Sequence, residues 1–123
     1  MKTIIAGGRN LKDEAMVLQA IDKSGFVISE LVCGMAQGID LIAKAWAQNL
    51  KIAITEFPAD WKRYGRAAGP IRNQQMADYA DALIAIWDGK SPGTKSMIRN
   101  AQIKGLNVYV HLASNEIKTN EIR

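Results

Sequence analysis

An arginine that follows a proline into a helix is the residue of this chain best placed to do chemistry. The segment Gly69-Pro70-Ile71-Arg72-Asn73 predicts a helix that begins at Pro70, a residue suited to the first helical position, and puts Arg72 and Asn73 in its first turn. A cation is out of place there, because the unpaired N–H groups of a helix N-terminus already make the potential positive. A bound anion would resolve the conflict, and helix N-termini beside strand ends are ready phosphate sites. Arg72 offers a planar fork for a bidentate phosphate contact. The structural alternative is a salt bridge to Glu56 or Asp60.

Four more segments carry residue types suited to the same ligand. Gly7-Gly8-Arg9 follows an apolar run; bare glycines let a backbone come close to a ligand, and the arginine can hold phosphate. Gly34-Met35-Ala36-Gln37-Gly38-Ile39-Asp40 makes a possible backbone cradle at a helix start, with Asp40 either part of it or a helix cap. Trp61-Lys62-Arg63-Tyr64-Gly65-Arg66 interleaves aromatics with cations, so that Trp61 or Tyr64 could stack a base while a neighbouring cation meets phosphate. Asp88 could hold a ribose hydroxyl, act as a base or cap the next turn, and Gly93-Thr94-Lys95 reads as a small phosphate-cradling turn into a helix.

Several chemistries are absent from the pattern. There is no G-x-G-x-x-G dinucleotide fingerprint and no G-x-x-x-x-G-K-[ST] P-loop. One cysteine and one histidine cannot build a zinc site of usual composition. Cys33 reads as a small core residue and His111 as structural. Met16, Met76 and Met97 fit core positions, and Asp13, Glu14 and Asp22 read as solvated helix charges.

The elements that must position these residues alternate. Lys2–Ala6, Leu31–Cys33, Ile52–Phe57, Ala82–Trp87 and Asn107–Leu112 read as strands. Helical spacing covers about 13–24, about 39–50, 70 to about 80, and 94–104, with a long loop over about 59–69. Strand–helix alternation predicts an α/β fold, a Rossmann-like α/β/α sandwich with a parallel sheet in the order 3-2-1-4-5. Such sheets bind ligands beyond the strand carboxyl ends where the chain reverses direction, and that rule gathers every segment above into one place. With 123 residues, one domain over 1–112 and a polar tail over 113–123 are expected. The net charge of +4 and pI of about 9.3 favour anionic partners. No apolar run is long enough for a membrane span, and the cytoplasm is the expected compartment.

The run Phe57-Pro58-Ala59-Asp60-Trp61, Tyr64-Gly65, Ala68-Gly69-Pro70, Arg72-Asn73, Met76-Ala77, Tyr79 to Ala85, Trp87-Asp88-Gly89 and Gly93-Thr94-Lys95 resembles the YspA/YpsA-related branch of the SLOG superfamily, which includes the Smf/DNA-processing protein A and Lonely Guy groups. The resemblance spans roughly Thr3 to Val110. It implies a Rossmann-like fold and a pocket for nucleotides or nucleotide-derived molecules, with roles in sensing, carrying or processing such signals, often in phage–bacterium conflict. Arg72, Met76, Ala80, Asp81 and Ala82 match the spacing of the Lonely Guy arginine motif. Where that motif's partner carries a catalytic glutamate, this chain has Met97, and a thioether cannot do the work of a carboxylate. The DNA-processing group is similar around Gly34 to Asp40.

These readings lead to one expectation with two alternatives. The leading one is a protein that binds a nucleotide-derived small molecule (ADP-ribose, a cyclic ADP-ribose relative, an NAD-related molecule or a nucleoside phosphate) as sensor, carrier or sequestering protein. Gly7, Gly8, Gly34, Ala36, Gly38, Gly93 and Thr94 would supply backbone contacts, Arg9, Arg72 and Lys95 charge, Asn73 and Asp40 further polar contacts, Trp61, Tyr64 or Trp87 aromatic surface, and Asp88 a ribose contact. No cofactor or metal is required. The alternatives are a Lonely Guy-like N-glycosidase using Arg72 and Asp88, and a single-stranded DNA binder. A homodimer through apolar helix faces is a further expectation.

Overall fold

The computed structural model describes residues 1–8, 11, 13–34 and 38–113. Five strands, β1 (Lys2–Gly7), β2 (Glu30–Cys33), β3 (Ala53–Glu56), β4 (Ala82–Trp87) and β5 (Asn107–Leu112), form one sheet in the order β3-β2-β1-β4-β5. Every pairing is parallel. The helices are α1 (Glu14–Ser24), α2 (Ile39–Asn49), α3 (Trp61–Tyr64), α4 (Ala68–Tyr79) and α5 (Pro92–Ile103), with a 3-10 turn at Gly65–Ala67 between α3 and α4. This is the expected Rossmann-like α/β fold.

Strand side chains alternate between two cores. Ile4 lies opposite Val32 and Leu83 in register, and all three pack with Met76, Ala77, Met97 and Ala101 from α4 and α5. One residue on, Ile5 and Ile84 face the other way with Leu31 of β2, against Val17 and Ala20 of α1 and Ile39, Ala43 and Ala47 of α2. The central strands are therefore buried on both faces, as a parallel sheet requires, and β4 is buried from Ala82 to Ile86.

The helix ends follow local chemistry. The Asp13 carboxylate caps α1 by accepting from the Met16 amide at 3.3 Å, so Asp13 is a cap rather than merely a solvated charge. Gly25 ends that helix in the left-handed region at φ 71°. Pro92 opens α5 two residues earlier than the sequence predicts.

The largest departure is the segment expected as a loop over about 59–69. Asp60 accepts from the Arg63 amide at 3.1 Å and nucleates α3. The chain then passes through the 3-10 turn into α4, which starts at Ala68. Pro70 is thus the third residue of α4, where its missing N–H still has no intrahelical acceptor to lose. Arg72 falls beyond the first turn, so the argument from a cation at a helix N-terminus does not apply to it. The tail expected over 113–123 lies, from residue 114 on, outside the described residues.

Candidate functional site

Beyond the carboxyl ends of the parallel neighbours β1 and β4 the chain leaves for opposite helix layers, to α1 and to α5, and between them lies a cavity of about 570 Å³. Ala6, Gly7 and Gly8 form one wall, Asp40 of α2 stands beside them, and Gly69, Pro70, Arg72, Asn73 and Met76 come from α4. Ser91, Pro92, Gly93, Thr94, Ser96 and Met97 contribute the start of α5, and Trp61 the mouth. Five separate stretches of sequence meet here.

Gly7 is fixed by packing. A Cβ there would sit 2.6 Å from Ile39 Cγ1 and 2.7 Å from the Ile86 carbonyl oxygen, so only glycine lets β1 end against α2. Gly8 and Gly93 differ. A Cβ on Gly8 would make only ordinary contacts at 3.6 Å, and one on Gly93 would meet nothing within 4 Å. Protein packing does not demand glycine at either, yet both keep bare backbone on the cavity wall.

The N-terminus of α5 is open toward this space. Its cap residue Ser91 makes no side-chain bond to the helix; the Ser91 hydroxyl instead donates to Asp88 Oδ2 at 3.1 Å. Pro92 has no N–H, and Gly93 and Thr94 follow in a first turn that contains no acidic side chain. Such a terminus favours a negative group.

Arg72 supplies the cation of the wall. Its Nη1 donates to the Gly34 carbonyl and its Nε donates to Asn73 Oδ1 at 3.1 Å. Neither expected salt-bridge partner is involved: Glu56 pairs with Lys44 at 2.6 Å, and Asp60 caps α3. Asp40 is the carboxylate of the wall and is 5 % exposed. Trp61, at 53 % exposure, is the aromatic of the mouth, with its indole edge 3.6 Å from where a Gly69 Cβ would lie.

Other expected residues stand outside the wall. Asp88 accepts from the backbone amides of Ser91 (2.7 Å) and Lys90 (2.8 Å). Those bonds hold its carboxyl below the ordinary value, which makes it a turn cap and a poor base. Trp87 braces the same turn by donating from Nε1 to the Ser91 carbonyl at 3.1 Å. Tyr64 lies under the Arg63 guanidinium, 5.1 Å from the ring centre, and Lys95 is exposed on the outer side of α5. Gly38 caps α2 at φ 75°, and Gly34 meets Arg72 rather than the cavity. Arg9 and Ala36 lie outside the described residues. Ser91 and Ser96 are wall residues that the sequence reading missed; Ser-Pro before a helix signals a cap, not a site.

Among the described residues no group of three His, Cys, Asp or Glu side chains could hold a metal, and no helix is long and apolar enough to cross a membrane.

The family model for "YspA, cpYpsA-related SLOG family" matches residues 1–64. The chain belongs to this family. A relative from Mycobacterium phage D29, the Gene 61 protein, is 33 % identical over 119 residues, covering 87 % of this chain and 93 % of that protein. Among solved structures, DNA processing protein A from Streptococcus pneumoniae superposes with a TM-score of 0.72 at 18 % identity, over 89 % of this chain. At that identity the likeness is one of fold, and the present chain spans about half (49 %) of that protein's length.

Proposed function

We propose that this SLOG-family protein binds a nucleotide-derived small molecule in the cavity at the sheet's carboxyl edge, as a sensor, carrier or sequestering protein. The observation that carries the reading is the pairing of an open α5 N-terminus with Arg72 in one cavity, next to glycines that packing does not require. Gly8, Gly93 and Thr94 would hold phosphate through backbone amides, Arg72 would add charge, Asp40 would accept a ribose hydroxyl, and Trp61 would cover a base. Asp40 takes over the role expected of Asp88, because Asp40 lines the cavity and Asp88 stands outside it. The phage relative is in keeping with a role in phage–bacterium conflict.

Binding without turnover is the simpler reading, because Met97 lines the wall at the position where the Lonely Guy motif carries its catalytic glutamate. Incubation with AMP and NAD followed by chromatography separates the two: released base supports a hydrolase, and unchanged substrate supports a binder. A DNA-binding reading draws on the neighbour named for DNA processing and on the exposed cations Lys62, Arg63 and Arg66 beside Trp61. Oligonucleotide affinity that falls steeply with salt would support it.

The decisive assay is a thermal-shift panel of AMP, ADP-ribose, cyclic ADP-ribose and NAD. A ligand of the native state raises the melting temperature by mass action. The Arg72→Ala protein is expected to melt like wild type without ligand and to lose the shift. No shift with any member of the panel, or Arg72→Ala melting well below wild type, would overturn the assignment.

A further inference from the structure

Arg72 is anchored by an unusual surface, the bare backbone of a glycine 38 residues away in sequence. A Cβ on Gly34 would lie 2.9 Å from Arg72 Nη1 and 3.2 Å from its Cδ and Cζ. Among the described residues nothing else lies that near, and Gly34 is not among the glycines with positive φ. Its backbone would therefore accept alanine; its guanidinium neighbour would not.

The bonds also fix which edge of the guanidinium is available. Nε is taken by Asn73 and one Nη1 hydrogen by the Gly34 carbonyl. Of the five N–H donors, the three that remain lie on Nη1 and Nη2 at the end of the group, and none has a protein partner among the described residues.

We propose that Gly34 is the positioning residue of the anion-binding arginine: its missing side chain lets Arg72 lie across it, and its carbonyl holds the guanidinium end-on to the cavity. Gly34 then acts through Arg72 rather than as a phosphate cradle. The proposal rests on the reading that Arg72 meets an anion, but the anchoring itself is measurable without any ligand. Substitution by alanine forces the flexible arginine side chain, not the backbone, to give way. The fold survives and the cation is misplaced.

The test compares 15N-labelled wild type, Gly34→Ala and Arg72→Lys, the last to assign the Arg72 Nε–H resonance by its disappearance. In wild type that resonance should be dispersed and slow to exchange with water. In Gly34→Ala it should merge with the exposed arginines while the melting temperature is kept. Affinity for AMP should fall roughly tenfold or more, affinity for adenosine should not change, and adding Arg72→Ala should cost nothing further. A resonance unmoved in Gly34→Ala, or full AMP affinity despite its release, overturns the proposal. Release of the resonance in a protein whose wild type binds neither AMP nor pyrophosphate upholds the anchoring and refutes the anion site. Should Gly34→Ala fail to fold, the wild-type exchange rate decides: exchange as fast as that of Arg63 and Arg99 overturns the anchor.

Discussion

The two ends of the parallel sheet are built on opposite principles. At the amino end, polar side chains satisfy one another. Glu30 accepts from Thr55 Oγ1 at 2.6 Å and from the Tyr79 hydroxyl at 2.5 Å. Asp81 accepts from the Lys2 amide at 2.9 Å, and the Lys2 ammonium lies 4.2 Å from the centre of the Tyr79 ring. At the carboxyl end, glycines leave backbone bare, α5 starts without a side-chain cap, and Arg72 keeps three donors without a partner among the described residues. Groups paired internally stabilise the chain, whereas groups left without a protein partner can pair with something else. One end closes the fold, and the other is the end at which we propose a ligand binds.

The sharpest way to break this comparison is Gly7→Ala, a carboxyl-end change whose Cβ would strike Ile39 and the Ile86 carbonyl. Overpacking of this kind costs about 1–3 kcal/mol, so urea denaturation should show lost stability together with lost binding. Gly93→Ala, with open space around its Cβ, should leave stability intact. Next in size, Arg72→Ala should weaken AMP binding in calorimetry by roughly tenfold, or about 1.4 kcal/mol, at unchanged stability. The reverse pattern is expected at the amino end: Tyr79→Phe should cost about 1 kcal/mol of stability through a lost hydrogen bond and leave affinity alone.

The same pair predicts a pH effect. Hydrogen bonds from Thr55 and then Tyr79 lower the Glu30 carboxyl below its ordinary value of 4.5. A carboxyl depressed in the folded state contributes fully above that value, and the contribution is lost as pH falls through the depressed one. Wild type should lose stability over that acid window, and Tyr79→Phe should lose less. The smallest effect is expected for Asp88→Asn, which keeps one acceptor for the Lys90 and Ser91 amides: affinity should fall by a few-fold as the α5 start loosens, because the residue acts on the turn and not on the ligand.

Much of the fold was legible because it is written locally. The apolar runs of β1 and β4 and the spacing of Ile39, Ile42, Ala43, Trp46 and Leu50 identify strands and a helix without tertiary information, and alternation with right-handed crossovers then leaves the observed strand order. The stretch 59–69 reads as a loop in sequence although it holds α3; four helical residues are too few to show a period. The cavity was legible as a location, since the switch-point rule needs only the strand order. Its internal bonds were not. The Arg72–Gly34 contact joins α4 to the end of β2, and no spacing in the sequence reveals it. That Asp40 and not Asp88 lines the cavity depends on how the turn after β4 folds, a matter of loop geometry.

The most direct measurement is a titration of ADP-ribose into 15N-labelled protein, followed through the backbone amides. The account predicts shifts concentrated at Gly7, Gly8, Asn73, Gly93 and Thr94, with Glu30, Thr55 and Tyr79 unmoved. Shifts centred on the amino end, or none at saturating ligand, would contradict it.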